Sequence, residues 1–333
     1  QPFWYAKDKL CHALTWEYIN KKYLELGGEG SLFEARFFGS VRSNLSNKIK
    51  EKVKDFTLNR IRFDVFDQSK TYLNKIRRTF EKKPFTYVYG YTNSILLFAE
   101  YLNKNSNKTL QEICPSLKFV IVTAEMCTQE MREELVRIMG VPVYREYGSS
   151  ETGIIAIEDK SFRWNIASER LYVEIVDEDG NPAPLGEKGR ILVTDMNNLA
   201  MPFIRYDIGD AGSISKIKEP PFLLLKSLEG RTSDTIFLSG KKKVPGLAFY
   251  YITRSLIESG NSIIDKFIII QIAIDQFVLE YVADEEINAQ MEYDIIKESK
   301  KYLNTQVKLT FKRVDIIQKH ASGKVQHFFS EIN

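Results

Sequence analysis

Phe119-Val120-Ile121-Val122 is a wholly apolar run, β-branched at three of its four positions. Such a run has no polar face to leave in water. It predicts a strand buried on both sides, as in a parallel sheet covered by helices. Thr128 offers an N-cap for the element that follows, in which Met131, Leu135 and Met139 recur every fourth residue. Gly140 stops that helix and Pro142 prevents its resumption. Residues 141–144 predict the next strand. This strand–helix–strand unit commits the chain to the α/β class and puts the following Gly148-Ser149-Ser150-Glu151 turn at the carboxyl edge of a mostly parallel sheet, where such folds bind ligands.

The alternation extends upstream. Ser69 caps a helix with Tyr72, Ile76 and Phe80 at four-residue spacing, ended before Pro84. Residues 85–89 predict a strand, 90–94 its turn, and 95–102 a strongly apolar helix. Nearer the start, residues 6–26 read as a helix with Leu10, Leu14, Tyr18 and Lys21 on one stripe. Gly27-Gly28-Glu29-Gly30 ends it; no strand precedes these glycines and no Gly-Lys-Ser/Thr follows, so they are not a phosphate loop. Residues 36–39 read as a short strand and its exit. Lys48, Lys50, Lys52 and Lys54 form a basic run, read as a solvated surface, with an anionic partner as the lesser reading.

After Gly153 the pattern changes to strands. Residues 171–176 alternate apolar and polar, Asp177-Glu178-Asp179-Gly180 is a turn signal, and 190–194 is another strand. A β-rich subdomain over about 161–228 follows from this. Glycines on both sides of a short strand near 230–240 suggest a joint. Beyond it come a helix at 247–258, strands near 263–273 and 277–283, a helix at 285–303 and a strand at 306–314, a small α+β module.

Composition excludes several classes. A net charge of +3 over 333 residues carries no polyelectrolyte signal for nucleic acid. The 44% hydrophobic and 27% charged content is that of a water-soluble globular protein. No apolar run approaches the roughly 20 residues of a membrane span; the richest, near 263–282, is interrupted by Asp265, Lys266, Gln271, Asp275, Gln276 and Glu280. The odd, widely spaced Cys11, Cys114 and Cys127 form neither a metal motif nor a disulfide framework, which suits a reducing cytoplasm. The chain opens on Gln1-Pro2-Phe3-Trp4 with no methionine, the texture of a mid-domain entry, so a fragment is expected.

The turn has chemistry suited to a nucleotide. Tyr147 offers a flat face for a base, Gly148 lets backbone approach closely, Ser149 and Ser150 offer hydroxyls to phosphate, and Glu151 is a hard oxygen ligand for magnesium. Further along, Asp210 in Arg205-Tyr206-Asp207-Ile208-Gly209-Asp210 is an ionised acceptor able to take both hydroxyls of a ribose. Lys324 in Ser322-Gly323-Lys324 is an ammonium on a flexible loop. Each stretch taken singly also fits an ordinary polar loop, β-turn or solubilising lysine.

Taken together, Tyr-Gly-Ser-Ser-Glu, Arg-Tyr-Asp-Ile-Gly-Asp, Gly230-Arg231-Thr232-Ser233-Asp234 and Ser-Gly-Lys resemble, in order and spacing, the motif set of the adenylate-forming superfamily of acyl-CoA synthetases, luciferases and peptide-synthetase adenylation domains. Phe66-Asp67-Gln68-Ser69, Tyr87-Val88-Tyr89-Gly90-Tyr91 and Thr123-Ala124-Glu125-Met126 look most like the phenylacetate-CoA ligase branch and its CapK-like members, linked to capsular polysaccharide synthesis. The resemblance implies an α/β fold with a large domain at 1–229, a hinge and connecting strand at 230–240 and a small α+β domain at 241–333. It implies ATP-dependent conversion of a small carboxylate to an acyl-adenylate, followed by transfer to a thiol, commonly coenzyme A, or to an amine, in the cytoplasm.

By position, Glu151 would hold Mg2+, Ser150 would touch the α-phosphate, Tyr147, Ala124 and Glu125 would border the adenine, and Asp210 and Arg231 would hold the ribose. Lys324 would bridge carboxylate and phosphate, and rotation about the hinge would exchange it for the loop at Gly240, beside the thiol tunnel. The chain departs from the pattern at three points. The Gly/Ser/Thr-rich phosphate loop, expected just before Gln1, is missing, so this piece alone is expected to be inactive. Ser233 stands where relatives often carry a hinge Asp, and Val325-Gln326-His327 lacks a common arginine. A catalytically inactive relative that binds a nucleotide or partner is the alternative, and an interaction module that merely keeps the fold is a third. Oligomeric state stays open, with a homodimer among the options.

Overall fold

The computed structural model describes residues 4–27, 32–39, 45–67, 69–125, 127–216, 223–229, 235–245, 249, 264–303, 305–317 and 328–332. Its largest feature is an 11-stranded sheet. One half is parallel: β1 (Glu34–Phe37), β2 (Arg60–Arg62), β3 (Tyr87–Tyr91), β4 (Phe119–Thr123) and β5 (Val143–Ser149), in the order β2-β1-β3-β4-β5. Helices α1 (Lys9–Gly27), α2 (Leu45–Thr57), α3 (Lys70–Lys82), α4 (Thr92–Asn105), α5 (Leu110–Ile113) and α6 (Gln129–Met139) accompany it. The other half is antiparallel: β6 (Gly153–Glu158), β7 (Trp164–Ile166), β8 (Leu171–Val176), β9 (Gly189–Asp195), β10 (Tyr206–Lys216) and β11 (Leu223–Glu229), continuing as β6-β7-β11-β10-β9-β8.

β4 explains why the parallel half is apolar throughout. Val120 and Val122 enter a core with Ile95, Phe98 and Leu135 of α4 and α6, while Phe119 and Ile121 enter another with Tyr23 of α1. All five residues of β4 are buried. The expected caps are present: Ser69 Oγ accepts from Tyr72 N at 3.2 Å, Thr128 Oγ1 from Met131 N at 3.3 Å, and Gly140 is left-handed at φ 76°. Gly90 is required by sheet closure, since a Cβ there would lie 2.2 Å from the carbonyl oxygen of Phe37 on β1.

Four expectations are corrected. Residues 90–94 are not a turn: β3 runs through Tyr91 and α4 begins at Thr92. β5 does not end near residue 144 but reaches Ser149, because β6 folds back on it as a hairpin. The helix expected from residue 285 begins at Ala289. In α1 the inward stripe is Cys11, Tyr18, Tyr23 and Gly27, and Leu10 is 64% exposed. The two tyrosines bury large rings against Ile154 and against Tyr87 and Phe119, outweighing one leucine.

α2 carries the basic run, and Lys50, Lys52 and Lys54 are exposed as expected of a solvated surface. Among its described side chains it docks through carboxylates rather than apolar groups. Asp55 binds Arg60 at 2.6 Å and Arg62 at 3.0 Å, Glu51 binds Arg62 at 2.8 Å, and Ile49, Val53 and Phe56 face out.

Past β11 the chain forms a hairpin, β12 (Thr235–Leu238) with β13 (Lys242–Pro245), and a four-stranded sheet in the order β16-β15-β14-β17. The latter comprises β14 (Ile264–Ala273), β15 (Gln276–Ala283), β16 (Lys308–Arg313) and β17 (Phe328–Ser330), with the helix Ala289–Leu303 between β15 and β16. Gln271 of β14, fully buried, clamps the hairpin: its amide oxygen accepts from Phe237 N at 3.0 Å and its amide nitrogen donates to Phe237 O. β13 in turn packs on α4. The helix expected at 247–258 falls outside the described residues, apart from buried Phe249. Among the described residues no helix is long and apolar enough to cross a membrane.

Candidate functional site

The Gly148-Ser149-Ser150-Glu151 stretch is the tip of the β5–β6 hairpin. Ser149 closes it: Ser149 Oγ accepts from Thr152 N at 3.1 Å and shares a hydrogen bond with Thr152 Oγ1 at 3.0 Å. Gly148 is needed for the hairpin itself, because a Cβ there would lie 2.5 Å from the carbonyl oxygen of Gly153. Ser150 is exposed and Glu151 half-buried, so these two side chains face outward from the tip.

Asp210 is brought to the same place by an irregularity in β10. Its pairing with β9 lapses between Asp207 and Ala211. There Asp207 Oδ1 accepts from Gly209 N at 2.7 Å and Gly209 takes φ 70°, a left-handed turn that suits glycine. Two phenols then tie the segments together. Tyr147 OH donates to Asp210 Oδ2 at 2.9 Å, and Tyr206 OH donates to Glu151 Oε1 at 3.3 Å. Glu151 and Asp210, 59 positions apart in the numbering, therefore share one crevice through paired tyrosines.

Ala124 and Glu125 follow β4, the parallel neighbour of β5, and so lie along the same carboxyl edge. Ala124 is exposed at φ 66°. Glu125 turns toward α4, where its carboxylate accepts from Asn93 N at 2.8 Å and its carbonyl from Thr92 Oγ1 at 3.2 Å. Gly240 sits in the β12–β13 turn at φ 73°, exposed, beside Ser239, whose N–H donates to Asp275 Oδ1 at 3.0 Å. Arg231, Ser233 and Lys324 lie outside the described residues. Thus Tyr147, Ser149, Ser150, Glu151 and Asp210 converge, Ala124 and Glu125 share their edge, and Gly240 belongs to the C-terminal hairpin.

Three contributors were not read from the sequence. Tyr206 stood inside a motif already singled out, and its spacing from Asp210 was the available signal. Lys7 and Arg170 carried none, since both arrive through long-range packing. The segment before α1 is stapled by Asn198, whose amide donates to Ala6 O at 2.9 Å and to Met201 O at 3.0 Å, and by Asp8, which accepts from Leu199 N at 2.9 Å. Lys7 Nζ thereby reaches Ser150 O at 3.1 Å, and burial lowers the pKa of its ammonium.

Beneath the edge lies a second carboxylate. Glu146 is 8% exposed and accepts from Tyr23 OH at 2.5 Å and Tyr89 OH at 3.1 Å. Burial raises its pKa, against the opposing pull of those phenols. The cysteines are buried, and burial pushes Cys127 up to about 11, unlike an activated nucleophile. Among the described residues no group of three or more His, Cys, Asp or Glu could cage a metal. Glu151 is a carboxylate at the crevice, and Mg2+ characteristically keeps water and takes one or two carboxylates plus substrate phosphates.

A family model described as AMP-binding enzyme matches residues 58–201, and one described as CapK C-terminal domain matches 246–331. Residues 58–201 and 246–331 thus match the AMP-binding and CapK C-terminal families of the adenylate-forming superfamily. These matches support the phenylacetate-CoA ligase and CapK-like branch that the motifs implied. It is 30% identical over 135 residues to the phenylacetate-coenzyme A ligase of Escherichia coli (strain K12), a match covering 39% of this chain. The chain spans only 31% of that ligase's length.

Among solved structures it resembles a 2-hydroxyisobutyryl-CoA ligase bound to 2-HIB-AMP and CoA, with TM-score 0.57, 13% identity, and coverage of 96% of this chain and 69% of the other. The amide bond synthetase McbA from Marinactinospora thermotolerans gives TM-score 0.51, 14% identity, and coverage of 94% and 63%. Both likenesses establish the fold of adenylate-forming ligases, α/β with a large mixed sheet and a smaller separate one.

Proposed function

We propose that the protein activates a small carboxylic acid with ATP and passes the acyl group to a thiol, coenzyme A or one like it, or to an amine. The observation that carries this reading is the pair of phenol bonds, Tyr147 to Asp210 and Tyr206 to Glu151, which gathers a flat ring, hydroxyls and two carboxylates at one sheet edge. In the first step an oxygen of the acid attacks the α-phosphorus of ATP, and the bond to the leaving pyrophosphate breaks. In the second the thiol or amine takes the acyl group and AMP departs.

Asp210 would accept from the ribose hydroxyls, with Tyr147 holding one carboxylate oxygen in place. Ser150 would donate to the α-phosphate and Ser149 would keep the tip closed. Glu151, oriented by Tyr206, would hold Mg2+, whose charge offsets that of the phosphates. Ala124 and Glu125 would border the base. Arg231 would add to the ribose contact, Lys324 would meet the carboxylate and phosphate as a point charge, and Gly240 would border the thiol's path.

The division at residues 1–229, 230–240 and 241–333 belongs to the same proposal. The Gln271 clamp supports a moving unit that already includes the β12–β13 hairpin. Such a unit would alternate between the two half-reactions by hinge rotation. The relatives' names speak of joining acids to coenzyme A and of amide bond synthesis, which fits either acceptor. The CapK C-terminal match supports a role in capsular or surface polysaccharide synthesis, and use of ATP and coenzyme A supports a cytoplasmic setting.

ATP–pyrophosphate exchange by the complete gene product, across a panel of small carboxylates, tests this reading. Exchange dependent on one class of acid is expected, and Lys324→Ala should cripple it while sparing thioester formation from a supplied acyl-adenylate. No exchange with any acid, in a folded protein that still binds AMP, would leave the non-catalytic nucleotide-binding reading in its place.

A further inference from the structure

Arg170 sits in the turn just before β8, its guanidinium reaching toward Gly153 of the hairpin, and is 4% exposed. None of its three guanidinium nitrogens has a hydrogen-bond partner. Asp195, the buried carboxylate of the same region, is engaged elsewhere: it accepts from Asn197 N at 3.0 Å and from Cys11 Sγ at 3.7 Å. A dry, unpaired guanidinium is costly to keep, and structural arginines are normally satisfied by carboxylates or carbonyls. Five donors without acceptors therefore point to a ligand.

A second cation faces the same space. Lys7 Nζ and Arg170 Nη1 each lie 3.9 Å from where a Cβ on Gly153 would sit. Gly153 takes φ 80°, so the position favours a residue with no side chain, and between the two cations a Cβ would meet only the Thr15 methyl, at 3.4 Å. Lys7 Nζ already holds Ser150 O at 3.1 Å, which fixes the pair beside the outward-facing serine and Glu151. Two cations suit an anion of charge two or more better than a single carboxylate. A planar guanidinium fork matches phosphate oxygens two at a time, and the backbone N–H groups of a tight turn add further donors.

We propose that Arg170 and Lys7 form a polyphosphate subsite that receives the pyrophosphate end of the nucleotide as it leaves. The assignment to pyrophosphate rests on the nucleotide reading above; the anion site itself rests only on the paired cations. In this arrangement Arg170 is a ligand-binding residue whose charge is compensated only when substrate or product is present. The ligand-free protein therefore carries Arg170 as a destabilising element, the reverse of what a structural arginine would do.

Thermal melting of the full chain with inorganic pyrophosphate, against sodium chloride at equal ionic strength and against AMP, tests this. Pyrophosphate should raise the wild-type melting temperature by about 3 °C or more. Arg170→Gln and Lys7→Ala should abolish that rise and leave the AMP shift unchanged. Ligand-free Arg170→Gln should melt no lower than wild type, since it removes an uncompensated buried charge. Lys7→Ala, at a half-buried position, keeps the test decisive if the Arg170 variant fails to fold.

An equal pyrophosphate shift in wild type and Lys7→Ala, or none beyond salt in wild type, overturns the proposal. A drop in ligand-free stability for Arg170→Gln, together with an undiminished pyrophosphate shift in Lys7→Ala, overturns it in favour of a structural role. Should pyrophosphate act through both cations while AMP gives no shift, the anion site stands and the nucleotide reading falls.

Discussion

Glu146 and Glu151 lie five positions apart on one hairpin and each accepts a hydrogen bond from tyrosine, yet they serve opposite ends. Glu146 points beneath the sheet, where Tyr23 and Tyr89 enclose it and burial raises its pKa. Glu151 lies past the end of β5, half-buried at the crevice, beside Tyr206 and the Lys7 ammonium. The same chemical group thus becomes a buried anchor or, in the proposed reading, a ligand-facing charge according to where the strand stops. Strand alternation and the hairpin tip decide the role, and residue type alone does not.

The sharpest way to break this contrast is to remove each carboxylate in turn. Glu151→Ala should cost about 100-fold or more in ATP-dependent turnover, the scale seen when a charge aimed at a transition state is lost, with the melting temperature unchanged. A parallel fall in stability would place Glu151 with Glu146 instead. Glu146→Ala should lower stability by roughly 2–5 kcal/mol, because it leaves two buried phenols without an acceptor; chemical denaturation reads this directly. If that variant loses turnover but keeps full stability, the anchor role is wrong.

A finer probe is pH. Because the folded pKa of Glu146 is raised above its ordinary 4.5, its stabilisation is complete below that value and is lost as pH rises through the folded pKa. Glu146→Gln cannot ionise, so its stability should fall less than that of wild type between pH 4.5 and neutrality. Identical pH profiles would show that Glu146 does not titrate in this way. The smallest effect belongs to Tyr206→Phe, which deletes one hydrogen bond to a carboxylate and should weaken magnesium–ATP binding by about 1–3 kcal/mol at most, with AMP binding unaffected.

Much of this molecule was legible as pattern. The apolar run at β4, the caps Ser69 and Thr128 and the stop at Gly140 are local signals, and the structure places each as expected. The β5–β6 hairpin was missed because Gly148 and Gly153 enforce a reversal through backbone contact between themselves, which no periodicity records. The α1 stripe was misplaced because aromatic area, not leucine count, chose the buried face. At the site, Tyr147, Ser150, Glu151 and Asp210 stood out because short motifs carried them. Lys7 and Arg170 did not, since the Asn198 and Asp8 contacts that deliver the segment before α1 span about 190 residues.

In the proposed function Glu151 and Asp210 act on one nucleotide, Glu151 at its phosphates and Asp210 at its sugar. Calorimetric titration of Asp210→Ala and Glu151→Gln with AMP and with magnesium–ATP tests it most directly. Asp210→Ala should weaken both ligands by a similar factor, whereas Glu151→Gln should weaken magnesium–ATP alone. Unchanged AMP affinity in Asp210→Ala, with the protein folded, would contradict the claim.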